Sequence, residues 1–160
     1  MKSTEHWLVH EHTQFEALMR EGLDAAKIAD WWAIEQFYIK LVESLRYHIA
    51  QEEEVLFPAY EKNCESSHMS TLALYNEHSV MVDFFRKLKK FIDSRLLDDT
   101  CDCIEALELL LIEHNKKEED TFLPFASRLL FDDRDILQLQ LQNFVVTNKS
   151  RHWGIELTEK

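Results

Sequence analysis

Apolar residues recur along the chain at alternating intervals of four and three positions, which is the spacing of a seam between packed helices. The longest stripe lies in a stretch that we predict to be helical from Trp31 to about Lys62, after a possible N-cap at Asp30. Its members are Ile34, Tyr38, Leu41, Leu45, His48, Glu52 and Val55. A histidine and a glutamate therefore occupy positions that face the interior.

Three more helices are predicted by the same kind of stripe. The first runs from about Ser3 to Arg20, contains Leu8, His12, Phe15 and Met19, and ends at Gly22. The third runs from near Ser67 to about Leu97 and contains Leu74, His78, Met81, Phe85, Leu88 and Ile92. The fourth follows a polar break at Asp98 to Asp102 and contains Ile104, Leu107, Leu111, His114, Glu118 and Thr121.

This organisation predicts an all-α fold, an up-down antiparallel four-helix bundle with an additional short C-terminal helix. We expect a single domain over residues 1–160, with the core bundle at about 4–130. Residues 63–67 would link the two halves, and Pro58 would loosen the end of the second helix. A fifth helix of roughly 133–147 would lie in a C-terminal segment of about 132–160. Only 2 Gly and 2 Pro among 160 residues agree with a mostly helical chain.

The two halves of the bundle share one motif at a constant offset. The pairs His12 and His78, His48 and His114, Glu52 and Glu118, Glu53 and Glu119, and Pro58 and Pro124 are each 66 residues apart. A constant offset over five landmarks indicates an internal repeat, here of two helical hairpins.

The repeated residues have the chemistry of a metal site. A histidine followed by a glutamate four residues later presents an imidazole and a carboxylate on one helix face. Two such helices, each paired with a helix that carries one more histidine, supply four imidazoles and two carboxylates. This set suits two divalent ions with bridging carboxylates, and it fits Fe, Mn or Zn better than Cu(I), Ca or Mg. We therefore predict the metal ligands to be His12, His48, Glu52, His78, His114 and Glu118.

Simpler interpretations apply to other residues of the same types. A histidine on an apolar stripe is usually a hydrogen-bonded core residue. Glu16 follows His12 by four residues, as in the ligand motif, but has no counterpart in the second half, so we leave it out of the site. Glu53 and Glu119 point about 100° away from Glu52 and Glu118, which precede them, so we expect them in solvent or behind the ligands. The six ligands are distinguished by lying on apolar seams, repeating at one offset and forming a complete set.

Composition restricts the class of protein further. A net charge of -12 argues against nucleic-acid binding, which requires a basic face. The segment Met1 to Trp7 is not an apolar signal, and no stretch is long and apolar enough to span a membrane, so we expect a cytoplasmic protein. The odd cysteine count (Cys64, Cys101, Cys103) argues against a disulfide framework, and we interpret Cys101 and Cys103 as free thiols rather than a redox pair.

The duplicated motif resembles that of the hemerythrin family, most closely its bacterial branch of HHE cation-binding domains. The resemblance covers about residues 4–130 and rests on His12, on His48 to Pro58, on Glu77-His78, and on His114 to Pro124. It implies a four-helix bundle around two non-haem iron ions, with bridging carboxylates and a bridging oxo or hydroxo group. It also implies the six ligands named above.

Two departures change the functional expectation. Oxygen-carrying hemerythrins have a further histidine where this chain has Leu74, and an aspartate at His+5 where this chain has Glu118 at His+4. The site would be more symmetric, with about two positions left open at each ion. We expect a protein that meets O2, NO or peroxide in sensing, storage or detoxification. The alternatives are a di-iron peroxidase, oxidase or iron-centre repair enzyme, and a helical interaction module with Zn or no metal; no oligomeric state is predicted.

Overall fold

A computed structural model describes residues 4–63 and 68–157, with side chains over residues 8–63 and 71–157. Residues 64–67 of the predicted linker, including Cys64, lie outside this range. Four long helices form the bundle: α1 (Thr4–Lys27), α2 (Trp31–Gln51), α4 (His68–Asp93) and α5 (Leu97–Lys117). Helix α1 packs against α2 and α5, and α4 packs against the same two helices, so the four close into the predicted bundle.

The second and fourth predicted helices each contain a five-residue π-helical turn. The turn π1 (Glu52–Leu56) joins α2 to α3 (Phe57–Asn63), and π2 (Glu118–Phe122) joins α5 to α6 (Leu123–Leu129). Proline follows each turn, at Pro58 and Pro124. Since proline has no N–H and its ring collides with the carbonyl four residues earlier, the wider π turn accommodates it without ending the helix.

Two predicted helix boundaries were wrong. Helix α1 continues through Gly22 to Lys27, because Gly22 lies under the ring of Phe37, where a Cβ atom would come within 2.6 Å of ring carbons. The helix ends instead at Lys27, and the chain turns at Ala29, which has a φ of 54°. The Asp30 side chain then accepts the Ala33 N–H at 3.1 Å as the predicted cap of α2.

The predicted break at Asp98 to Asp102 is the other error. These residues form the first turns of α5, where Asp98 and Asp99 complement the positive end of the helix dipole. The break lies earlier, at Ser94 to Leu96, and Arg95 there has a φ of 54°. The predicted fifth helix is α7 (Arg134–Gln142).

Two groups of buried apolar residues fill the interior. The larger cluster contains Phe15, Met19, Leu41, Leu45, Met81, Phe85 and Leu107 among its members. The end cluster contains Leu8, Leu56, Phe57, Tyr60, Leu74, Phe122, Leu123, Ala126, Leu130 and Leu137. Along the sequence of the bundle helices, the candidate ligands lie between residues of the larger cluster and residues of the end cluster. None of the described helices is long and apolar enough to cross a membrane.

Candidate metal centre

Each of the four long helices contributes one histidine to the centre of the bundle. His12, His48, His78 and His114 are exposed to only 1%, 3%, 0% and 3%. The rings meet in pairs: the centroids of His12 and His48 are 5.3 Å apart, and those of His78 and His114 are 4.8 Å apart. The stripes therefore bring together the four histidines that the sequence singled out.

Two fully buried carboxylates lie between the histidine pairs. Glu52 has one oxygen 3.0 Å from His48 Nε2 and the other 3.2 Å from His78 Nε2. Glu118 lies in the same way between His114 Nε2, at 2.9 Å, and His12 Nε2, at 3.1 Å. Each carboxylate thus faces one histidine from each half of the repeat.

These atoms form two overlapping groups, within each of which all ligand atoms lie within 4.8 Å of one another. We call the group of His12, His48, Glu52 and Glu118 the first position. The group of His78, His114, Glu52 and Glu118 is the second position. Both contain the same two carboxylates, so the two groups share Glu52 and Glu118.

The pattern of buried polar atoms fits cations better than a hydrogen-bonded core. Both oxygens of Glu52, both oxygens of Glu118 and Nε2 of His12 are buried without a hydrogen-bond partner among the described residues. Histidine ring nitrogens lie 2.9 to 3.2 Å from these carboxylate oxygens. Since buried carboxylates are almost always paired, five such atoms facing one another indicate a site built for cations.

An outer carboxylate contacts the far nitrogen of every histidine. The Nδ1–H groups donate to Glu119 at 2.8 Å from His12, Glu11 at 2.5 Å from His48, Glu53 at 2.9 Å from His78 and Glu77 at 2.6 Å from His114. This bond fixes the tautomer and leaves Nε2 to face the carboxylates. The four outer carboxylates also obey the offset of 66 residues, as Glu11 with Glu77 and Glu53 with Glu119.

For two of these outer partners, Glu53 and Glu119, the sequence left open a place in solvent or behind the ligands, and the structure shows the second. The direction of Glu53 and Glu119, away from Glu52 and Glu118, turns them towards histidines of neighbouring helices. The roles of Glu11 and Glu77 were missed. Each directly precedes a predicted ligand histidine, at the same place in its copy of the repeat, and that repetition was the available signal. Glu16 is exposed and takes no part in the cluster, as predicted.

The electrostatics of the cluster favour positive charge at its centre. Burial by itself raises the pKa of Glu118, but His114 and His12 outweigh burial and hold the pKa well below its ordinary value. Burial likewise lowers the pKa of His48, yet the carboxylates around it, led by Glu52, leave that pKa well above its ordinary value. The buried acidic groups therefore attract cations, whether protons or metal ions.

Apolar side chains enclose the cluster. Phe57 stacks on the ring of His78 with centroids 5.8 Å apart, and Phe15 meets the ring of His48 edge-on at 5.0 Å. Leu74 is buried in the end cluster one turn before His78, and its counterpart in the first half, Leu8, is buried there as well. Leucine at this position in both halves keeps the site symmetric and adds no ligand.

The two described thiols do not belong to the centre. Cys103 lies about 16 Å before His114 along α5, from the rise per residue of a helix. Burial raises its pKa to about 11, and burial together with Asp98 raises that of Cys101. Both are free cysteines that keep their protons at neutral pH, which agrees with the simpler interpretation of the C-x-C pair.

One family matches the chain over most of its length. The hemerythrin HHE cation-binding domain matches residues 3–126, a range that includes all six predicted ligands and all four outer carboxylates. No curated protein and no solved structure matches the chain.

Proposed function

The chain belongs to the hemerythrin HHE cation-binding domain family, and we propose that it binds two iron ions that react with a small ligand such as O2, NO or peroxide. The family and the buried cluster support cation binding, and the identity of the ion and of the small ligand are the parts that we propose. The observation that carries the proposal is the pair of four-atom groups sharing Glu52 and Glu118.

Each ion would be held by four protein groups. His12 and His48 would hold one ion and His78 and His114 the other, while the two shared carboxylates would bridge them. Two imidazoles with carboxylate oxygens suit iron, and also manganese or zinc. When bound, an iron pair would supply redox chemistry and positions at which a small ligand could exchange.

The residues of this chain prepare the site for that chemistry. The outer carboxylates keep the proton of each imidazole on Nδ1, so that Nε2 is available as a ligand and is a stronger base. Phe15 and Phe57, packed on ligand rings, keep bulk water away from the ions and strengthen every electrostatic contact inside. Only small molecules suit a site that is enclosed in this way.

A cytoplasmic location is also part of the proposal. It is supported by Cys101 and Cys103, which lie two residues apart as free thiols, as proteins of reducing compartments keep them.

The test is elemental analysis of protein purified without added metal, together with anaerobic titration with Fe(II) and optical spectra after addition of O2, NO or peroxide. We expect two iron ions per chain and new near-ultraviolet absorption on exposure to one of these ligands. Glu16→Ala is the matched control, because Glu16 follows His12 at the ligand spacing but is exposed. Uptake of iron that is not stoichiometric, or equal to that of a Glu52→Ala variant, would refute the proposal.

A further inference from the structure

The C-terminal tail packs beside the second position. Trp153 is buried in the larger cluster and stacks on Phe85, with ring centroids 5.2 Å apart. Arg86 Nε donates to the carbonyl oxygen of Trp153 at 2.6 Å, and the Ser150 hydroxyl donates to a Glu54 oxygen at 2.6 Å. The tail is therefore anchored at several points, and it lies beyond residue 126, where the family match ends.

Arg151 extends from this tail to an outer carboxylate. Its Nε lies 3.1 Å from both oxygens of Glu53, and its Nη2 donates to Oε1 at 2.8 Å. Its Nη1 donates to the Ser79 hydroxyl at 2.7 Å. The guanidinium thus holds both oxygens of Glu53 and is itself fixed to α4, which gives the pair the directional strength of a planar arginine–carboxylate contact.

Glu53 transmits this contact to a predicted ligand. The Oε1 atom that accepts from Arg151 also accepts the Nδ1–H of His78 at 2.9 Å. Glu53 is only 11% exposed, so its orientation depends on these two partners rather than on water. Arg151, Glu53 and His78 form a continuous chain from the tail to the second position.

The first position has no equivalent of this chain among the described residues. Glu119, the repeat counterpart of Glu53, accepts from His12 at 2.8 Å, but its side chain is 36% exposed and no described lysine or arginine pairs with it. The repeat supplies the carboxylate twice, whereas the tail supplies the arginine once.

We propose that Arg151 is a positioning residue for the second metal position, where it orients His78 by clamping Glu53, so that the affinity for one of the two ions depends on the tail. The inference rests on the proposed function, because it concerns the same pair of cation sites. It assigns a role to a residue that lies outside the matched family domain and 98 residues after Glu53.

The test is calorimetric titration of the intact metal-free chain with Co(II), which reports the affinity of each ion without any activity measurement. In the variant Arg151→Gln, we expect one of the two ions to bind about tenfold more weakly, as when other outer partners of metal ligands are removed. The other ion should keep its wild-type affinity.

The direction of the change separates positioning from simple electrostatics. Removal of a positive charge near a cation site would by itself strengthen cation binding. Weaker binding therefore reports lost orientation, and unchanged or tighter binding of both ions in Arg151→Gln overturns the inference. If the wild-type chain binds fewer than two Co(II) ions, the proposed function fails and this inference fails with it.

Two further variants make the test specific. Arg86→Gln removes the other arginine that holds the tail but does not contact Glu53, and should leave both affinities unchanged. Arg151→Lys, which keeps the charge but not the planar clamp, should show a smaller loss in the same direction and serves if the glutamine variant folds poorly.

A double-mutant cycle completes the test. Arg151→Gln should be non-additive with Glu53→Gln, because the two residues act as one unit, and additive with Glu119→Gln, which acts at the first position. Additivity with Glu53→Gln would contradict the inference.

Discussion

The two candidate metal positions have the same types of side chain but different surroundings. Each pairs two histidines with the shared Glu52 and Glu118, and each histidine has an outer carboxylate on Nδ1. At the second position both outer carboxylates have a cationic partner, Arg151 on Glu53 and Lys117 on Glu77. At the first position, Glu11 and Glu119 have none among the described residues. Repetition thus explains the ligand set, and departures from the repeat explain how the positions can differ.

The largest effect should come from removing what the two positions share. In Glu52→Ala, both ions lose a bridging ligand, so we expect each to bind at least about 100-fold more weakly, beyond the range for loss of an outer partner. Elemental analysis after dialysis measures this loss, with Glu16→Ala as the control. Retention of one full equivalent of metal would show that the carboxylate is not shared.

A smaller effect should follow from removing a histidine that belongs to one position. His48→Ala and His114→Ala are repeat counterparts, and each should leave about one ion per chain, because the other pair of imidazoles stays intact. Metal analysis of the two variants in parallel tests whether the positions are independent. Loss of both ions in either variant would show that they bind only as a pair.

The outer carboxylates should give the next largest change. Glu11→Gln and Glu77→Gln each remove the acceptor of a ligand Nδ1–H and should weaken one ion by about 10- to 100-fold. The loss should be greater for Glu11, which has no lysine or arginine partner among the described residues, than for Glu77, which pairs with Lys117. Calorimetric titration compares the two variants directly. An equal loss of metal affinity in both would contradict the expected difference between the two positions.

The smallest effect should come from Lys117→Gln, which introduces the residue found at the corresponding place in the first half, Gln51. Lys117 is 46% exposed, so its pair with Glu77 is screened by solvent. We expect tighter binding at the second position by less than about fivefold, since a positive charge is removed. Weaker binding would indicate that Lys117 positions Glu77 as Arg151 positions Glu53.

Sequence periodicity was sufficient to predict the bundle and to bring the six candidate ligands to its centre. It succeeded because buried residues on a long helix must recur every three or four positions, and His48 and Glu52 occur in that register. Their role as ligands stays a prediction. The helix ends were harder, since Gly22 is explained by the ring of Phe37, which belongs to the next helix.

The outer contacts could not be predicted from a single helix. The partner of His78 is Glu53, and which carboxylate reaches which histidine depends on how two helices face each other. The contact of Arg151 is harder still to predict, because Arg151 has no counterpart in the repeat and reaches Glu53 from the far end of the chain. Periodicity describes one helix at a time, and these contacts join several.

The two π turns begin at Glu52 and Glu118 and lie at the same place in both copies. An irregularity that occurs twice at one offset is most simply inherited, from a single hairpin that already contained it before duplication. Two identical hairpins related by a two-fold axis between the carboxylates would place the same histidines and glutamates around a pair of ions. A synthetic dimer of residues 4–63 would reproduce such an ancestor of this centre in minimal form, symmetric and without a tail.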